Sequence, residues 1–362
     1  MKNKKILELC LAPGLGGLEM FVAHCYKYFS KEGECSVVVA PNSKLDNYLG
    51  NIEKFHLQRN KFFPFLPAKK LAHYIDNNDI DIIHFHWTRD MITAVLAKVL
   101  SKKKPKLVQS RHMGMTRFKD DVYHKWLYKN IDMMHAVTQQ VKEQLEKYIP
   151  QEVRPKIEMI YLGVEEPKID EQKVASLKEK YALHDDFVVG IVGRIEEGKG
   201  QYKVIEAIAG LRELNIKAMI VGSAMDEEYL EVLKERVSSL NMENKVIFTG
   251  FTKDVNEHMK LFDVLILATE NETFGLVIIE AMINKIPVIA TNNKGGPLEI
   301  IENGLDGILF DGSVDDLRKK IYMLHNDENV KNKIAINALK KVVQKFNQEK
   351  QLAKIYDVFE KI

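Results

Sequence analysis

Apolar residues fall along this chain in short runs, and the stretches between them repeat with a helical period. In the first half the runs are 5–11, 35–40, 80–87, 106–110 and 133–137. Amphipathic stretches lie among them, as at 18–28, 91–100 and 139–148. Short apolar runs that alternate with helical patterns predict parallel strands joined by crossover helices. Proline and charge gather near 165–172, which predicts a linker. A second series follows at 187–193, 217–222, 246–250, 264–269, 287–291 and 307–310. These runs are apolar on both faces, so they belong in a sheet covered on both sides. The pattern predicts an α/β fold of two Rossmann-like, doubly wound parallel-sheet domains. The first spans 1–165 and the second begins near 170. Ligands of such domains sit beyond the carboxyl ends of the strands, and two facing sets of strand ends would make a cleft.

Composition agrees with this picture. A chain of 362 residues, 46% hydrophobic and 29% charged, suits two globular domains. Cys10, Cys25 and Cys35 are an odd number without metal-like spacing, and they read as free thiols in a reducing compartment. The start, Met1-Lys2-Asn3-Lys4-Lys5 followed by an apolar run, loosely imitates a signal peptide. Glu8 interrupts that run, and a first strand is the better reading. No apolar run approaches the roughly 18 residues that a membrane span needs. Residues 1–163 carry 26 Lys+Arg against 17 Asp+Glu, a net of +9, while 164–362 carry 27 against 34, a net of −7. That asymmetry points the first half toward something anionic, or is merely a lopsided solvated surface.

Candidate chemistry gathers where strands end. Asn271-Glu272-Thr273-Phe274-Gly275-Leu276 follows an apolar run and opens a helix that carries Glu280 in its second turn. Free N–H groups at a helix start bind anions, and glycine allows close approach. Glu280 is a lone carboxylate among Val277, Ile278, Ile279, Ala281 and Met282, and is costly to bury without a partner. Vicinal ribose hydroxyls would serve, because one carboxylate accepts from both. A structural salt bridge is the alternative for either glutamate.

Gly193-Arg194-Ile195-Glu196-Glu197-Gly198-Lys199-Gly200 also leaves a strand and enters a helix. It superficially fits a P-loop, but Gly200 stands where Ser or Thr would hold magnesium. Two cations placed for a diphosphate remain, with solvated charges at a helix start as the alternative. Gly14-Leu15-Gly16-Gly17 lacks the dinucleotide spacing and reads as a turn aimed at a phosphate or sugar, or simply as a tight turn. His112 follows the run 106–110 and is a candidate site residue. His84 and His86 point the same way without an evident third ligand, and Asp79-Ile80-Asp81 precedes its strand, so all four are read as structural.

With these blocks in order, the chain resembles the retaining family 4 glycosyltransferases of the GT-B fold. Glu272-x7-Glu280 around Phe274-Gly275 is the specific element, and Gly193-Arg194 with Lys199-Gly200 is its companion. Gly16-Gly17, His112, Gly295-Gly296 with Glu299, and Asn303-Gly304…Gly307 fit the same pattern. The resemblance implies that Arg194 and Lys199 hold the donor diphosphate and that backbone at Phe274, Gly275 and Leu276 contacts phosphate and sugar. It implies that Glu272 holds sugar hydroxyls, Glu280 the ribose and His112 the donor sugar, while the Gly16-Gly17 loop nears the phosphates. It further implies a donor domain over 170–343 and a last stretch, 344–362, that crosses back to the acceptor domain.

The expected activity is transfer of a hexosyl-type sugar from a nucleotide-diphosphate sugar to a saccharide or lipid-linked acceptor, with retention and without metal or other cofactor. Surface polysaccharide or lipopolysaccharide biosynthesis is the expected setting, in the cytoplasm, with nucleic acid absent from the expected partners. The acceptor domain mixes aromatics and cations at 59–70 and adds lysines at 102–106. That suggests contact with an anionic inner-membrane surface, or an aromatic loop packed inward beside exposed lysines. A nucleotide-sugar epimerase is the rival reading. It would need an acid–base pair at the sugar carbons, and none is evident. A P-loop nucleotidase and a binding-only protein are further alternatives.

Overall fold

The computed structural model describes residues 4–60 and 62–362. Residues 1–3 of the basic start and Lys61 of the aromatic–basic loop lie outside the described residues. Contacts divide the chain into two units, Met1–Leu162 with Glu349–Ile362, and Gly163–Gln348.

Unit 1 alternates strand and helix: β1 (Ile6–Cys10), α1 (Gly17–Glu32), β2 (Cys35–Val39), α2 (Lys44–Leu49), β3 (Phe55–His56), α3 (Phe65–Asn78), β4 (Ile82–Phe85), α4 (Met91–Leu100), β5 (Lys106–Arg111), α5 (Val122–Lys129), β6 (Met133–Ala136), α6 (Gln139–Tyr148) and β7 (Lys156–Met159). All strands run parallel in the order β3-β2-β1-β4-β5-β6-β7. β1 and β4 are buried at every position, as expected of central strands covered on both faces. Helix starts are set by local side chains: Thr138 accepts from the Val141 N–H at α6, and Asp121 from His124 N–H at α5.

Unit 2 holds α7 (Glu171–Lys180), β8 (Phe187–Val192), α8 (Gln201–Ala209), β9 (Ile216–Val221), α9 (Glu227–Ser239), β10 (Val246–Gly250), α10 (Val255–Met259), β11 (Val264–Leu267), α11 (Leu276–Ile283), β12 (Val288–Thr291), α12 (Gly296–Ile300), β13 (Ile308–Phe310), α13 (Val314–Asn326) and α14 (Glu328–Lys345). Its strands are parallel in the order β10-β9-β8-β11-β12-β13. The core packs Val189, Val204, Ile205, Ala218, Val264, Ile289, Leu317 and Ile321, all fully buried. Each of these valine, leucine and isoleucine side chains contributes about 1.5–3 kcal/mol relative to exposure. Within this unit the outgoing segment at Val164 pairs with the returning one at Asn347, through Val164 N–H to Phe346 O at 2.8 Å and Gln348 N–H to Val164 O at 3.1 Å.

The last helix, α15 (Gln348–Glu360), contributes to the core of unit 1. Phe359 is fully buried, with its ring 5.5 Å from Phe29 and 5.0 Å from His84. Lys4 Nζ donates to the carbonyls of Phe359, Glu360 and Ile362 at 2.9–3.0 Å, which satisfies the exposed acceptors of the helix end. Among the described residues no helix is long and apolar enough to cross a membrane.

Candidate active site

In unit 2 the loops after β8, β11 and β12 converge. β8 and β11 are neighbours where the strand order reverses, the switch point at which ligands settle in open α/β sheets. After β8, residues 196–199 form a turn closed by Lys199 N–H to Glu196 O at 3.2 Å. Gly200 caps α8 at φ +81°, and a Cβ there would stand 2.5 Å from the Ala268 methyl. Close packing of two strand-end loops thus accounts for the glycine that breaks the P-loop pattern.

The β11 loop is tied on both sides. Glu270 N–H donates to Gly198 O at 3.2 Å, Asn293 Nδ2 to Glu270 O at 3.0 Å, and Gly296 N–H to Glu272 O at 3.3 Å. Gly275 then caps α11 in the left-handed region, at φ +89°. Phe274 is buried with its ring edge-on to Phe346, and the backbone of Leu276 begins the helix. The first N–H groups of that helix have no intrahelical acceptor.

The predicted charges meet here in part. Lys199 Nζ lies 3.6 Å from Glu272 Oε2, with both side chains about a quarter exposed. Arg194, just past Gly193, is more exposed and pairs with Glu196 at 3.0 Å. Glu280 is different. Its carboxyl has no hydrogen-bond or ionic partner among the described residues, and burial pushes its pKa up to about 7. The residue nonetheless keeps part of its surface open. The structural salt bridge that would have explained Glu280 is therefore not formed, whereas Glu272 does have a cation beside it.

Gln201 went unnoticed in the sequence. It is buried and donates from Nε2 to Arg194 O at 2.9 Å, which shapes the cationic loop. A glutamine on the first residue of a helix carries no pattern that would single it out. Asn303-Gly304…Gly307 closes a turn before β13, at the amino end of the sheet and away from the strand-end loops.

In unit 1 the sheet reverses between β1 and β4. Gly16 N–H, expected to approach a phosphate, is taken by Glu19 Oε2 at 2.8 Å, and Gly17 starts α1. His112 follows β5, half-buried and edge-on to Phe21 at 5.2 Å. Burial lowers its pKa to about 3, so it is neutral. Arg111 holds the His112 loop by donating to Met113 O, Gly114 O and Thr88 Oγ1 at 2.7–3.0 Å. His84 and His86 are buried, and both contact Glu8 on the neighbouring strand. Asp79 and Asp81 pair with Lys103 at 2.6 and 2.9 Å.

The two basic clusters do not form one patch. Residues 59, 60 and 62–64 follow the carboxyl end of β3 and lead into α3, whereas 102–105 precede β5 at the opposite end of the sheet. Lys103 and Lys106 are also neutralised, by Asp79, Asp81 and Asp132. Phe62 and Phe63 before α3, and Phe65 and Leu66 in its first turn, are each more than half exposed. Arg59 at the start of this stretch and Arg89 after β4 both lie over Trp87, 5.1 and 5.3 Å from a ring centroid, and Arg59 also acts electrostatically on the Asp90 carboxyl. Arg89 was missed in the sequence because an arginine two residues past a tryptophan has no periodic signature.

Residues 15–166 match Glycosyltransferase Family 4, and residues 173–341 match Glycosyl transferases group 1. Over 300 residues the chain is 27% identical to N-acetyl-alpha-D-glucosaminyl L-malate synthase of Bacillus anthracis, covering 81% of this chain and 77% of that protein. It is 31% identical over 191 residues to the capsular polysaccharide biosynthesis glycosyltransferase CapM of Staphylococcus aureus, about half of each chain (51% and 50%). Anabaena Alr3699/HepE, solved in complex with UDP and glucose, has the same fold, with a TM-score of 0.86 at 22% identity over 99% of this chain and 100% of that one. Both matched families are glycosyltransferases, and nothing supports the epimerase reading. The chain therefore belongs to the glycosyltransferases of GT-B type, with a family 4 domain followed by a group 1 domain.

Proposed function

We propose that this protein transfers a hexosyl-type sugar from a nucleotide-diphosphate sugar to an acceptor hydroxyl with retention of anomeric configuration. The observation that carries the reading is Glu280, a partly open carboxyl without a partner among the described residues, beside the glycine-capped start of α11. A pair of ribose hydroxyls supplies the missing donors. Arg194 and Lys199 then meet the diphosphate, the N–H groups at Phe274, Gly275 and Leu276 its oxygens, and Glu272 the sugar hydroxyls. His112 accepts from a hydroxyl of the bound sugar, and the Gly16-Gly17 turn nears the phosphates once Glu19 is displaced.

Cleavage of the anomeric C–O bond builds positive charge on the sugar and negative charge on the diphosphate. Fixed cations and helix N–H groups stabilise that leaving group without rearrangement, and no step in this reading uses a metal. The acceptor oxygen attacks from the face that the diphosphate leaves. Its proton passes to a departing phosphate oxygen, so the charges balance.

The acceptor reading rests on unit 1. Arg59 and Arg89, held over Trp87 and forming no salt bridge among the described residues, suit an acceptor that carries an anionic group. A saccharide or lipid-linked glycan in surface polysaccharide or lipopolysaccharide synthesis fits, and the names of two relatives support an acidic acceptor and a capsular pathway respectively. The exposed aromatics at 62–66 suit peripheral contact with the inner face of the cytoplasmic membrane, tested by flotation with anionic liposomes before and after Phe62→Ser and Phe63→Ser. Screening nucleotide-sugars for thermal stabilisation tests the donor reading. Release of nucleoside diphosphate only when an acceptor is present tests transfer. A donor that stabilises the native protein and Glu280→Ala equally would sink the assignment.

A further inference from the structure

Beneath His112 a chain of polar side chains runs through the core of unit 1 on four adjacent strands. It passes from Ile160 O to His135 Nε2 (2.6 Å), from His135 Nδ1 to Ser110 Oγ (2.7 Å), and from Ser110 Oγ to His84 Nε2 (2.7 Å). It continues from His84 Nδ1 to Glu8 Oε1 (2.8 Å), from Glu8 Oε2 to His86 Nε2 (2.6 Å), and ends with His86 Nδ1 at a longer 3.5 Å from His112 Nε2. Glu8, His84, Ser110 and His135 have no exposed surface, and His86 almost none. Phe359, Phe29 and Phe21 pack against the imidazoles from outside.

The direction of every bond follows from one end. A carbonyl only accepts, so His135 Nε2 carries a proton toward Ile160 O. Burial lowers the pKa of His135 to about 4, so the ring is neutral and its Nδ1 accepts. Ser110 donates to that Nδ1, and its oxygen accepts from His84 Nε2–H. Burial holds His84 well below the usual imidazole value, which leaves its Nδ1 as an acceptor. Only Glu8 Oε1 faces that nitrogen.

We propose that Glu8 is a carboxylic acid that donates from Oε1 to His84 Nδ1 and accepts at Oε2 from His86 Nε2–H, so that the chain has a single direction and every imidazole in it is the Nε2–H tautomer. His86 Nδ1 then presents an acceptor to His112 Nε2–H. This leaves His112 Nδ1 as an acceptor for a hydroxyl. Glu8, two strands from β5, and its partners are positioning residues for His112.

The rival arrangement moves one proton to give a Glu8 carboxylate and a His84 imidazolium. It needs two charges in a site without exposed surface, and burial raises the Glu8 pKa as it lowers that of His84. No lysine or arginine pairs with Glu8 among the described residues. The other ionisable neighbours, Cys10, Cys25 and Cys35, are held by burial as neutral thiols. Glu8, Cys25 and His84 also lie close enough together to suggest a metal. At 2.8 Å, however, Glu8 and His84 share a proton, and ligands of one ion at about 2.1 Å each stand roughly 3 Å or more apart.

The test is nitrogen NMR of the protein labelled at histidine, without substrate, from pH 6 to 8. The expected result is one imine-type Nδ1 and one protonated Nε2 for His84, His86 and His135 throughout. Glu8→Gln, whose amide donates and accepts in the same places, should leave those signals unchanged. Glu8→Leu, which leaves two imidazoles unmatched, should lower the melting temperature far more than Glu8→Gln. A doubly protonated His84 in the native protein that turns neutral in Glu8→Gln overturns the proposal, as does an Nδ1–H tautomer at His84 or His135, or equal melting temperatures for the two variants. Only the step from His112 to a bound sugar rests on the proposed function. The tautomers are read without any ligand, so the two readings fail separately.

Discussion

Lys199 Nζ stands 3.6 Å from Glu272 Oε2, so the two groups proposed to hold donor diphosphate and donor sugar lie close enough to neutralise one another. Donor binding has to separate or share that pair, and each side chain then meets a complementary charge or hydroxyl. Glu272→Ala, Lys199→Ala and Arg194→Ala should each lower kcat/KM at least about tenfold, or about 1.4 kcal/mol. The double variant of Lys199 and Glu272 should lose less than the sum, because either single change leaves the other charge uncompensated. Nucleoside diphosphate release measures all four, and near-native rates in Glu272→Ala and Arg194→Ala together would remove both roles.

Glu280 titrates near pH 7 in the free protein because burial penalises its charge. Accepting from two hydroxyls favours the carboxylate, whereas the protonated form must give up part of that capacity. Donor affinity should therefore weaken as pH falls from 8 to 6. Glu280→Gln should flatten that dependence, and Glu280→Ala should raise Kd chiefly, with a smaller effect on turnover. Calorimetric titration with the donor at three pH values checks the sign.

Asp90 offers a stability test away from the donor loops. One carboxyl oxygen accepts from Leu11 N–H at 2.9 Å, the other is buried without a hydrogen-bond partner among the described residues, and burial raises the pKa to about 7 against the smaller opposing pull of Arg59. The unfolded carboxyl ionises near 3.8 while the folded one keeps its proton. Between about pH 4 and 7 the folded state thus binds more protons, and stability falls as pH rises. Asp90→Asn removes that slope. It should stabilise the protein at pH 8 by on the order of 2 kcal/mol and change little at pH 4, read from urea unfolding at the two pH values.

Phe359 lies fully buried against Phe29 and His84. Phe359→Ala should cost unit 1 about 3–5 kcal/mol. Unit 2 should keep its own transition, because its core draws on none of these side chains. Scanning calorimetry would show one transition moved and one unmoved, and an equal shift of both would contradict the division.

What could be read from the sequence differed between local and long-range features. The strands with dense apolar runs were legible to within a residue or two, because a buried parallel strand needs little besides such a run. β3 has two residues and β7 is polar at Lys156 and Glu158, so neither announced itself. The loop around Gly275 was legible because its parts are contiguous. Glu8 was not. It was noticed only as an interruption of an apolar run, since its partners are 76 and 78 residues away and meet it only because β1 lies beside β4. The third partner missing from His84 and His86 was on that neighbouring strand. The separation of the two basic clusters was equally hidden, because charge counts carry no information about which end of a strand a loop leaves.

The placement of α15 also bears on how the protein is made. Synthesis proceeds from the first residue to the last, and domains usually fold in the order in which they emerge. Here the first domain lacks its closing aromatic until Phe359 has left the ribosome, by which time all of Gly163–Gln348 is already outside. The second domain can mature while its predecessor is still unsealed. A version of the chain ended at residue 348 should therefore protect the group 1 domain from protease and leave the family 4 domain open to it.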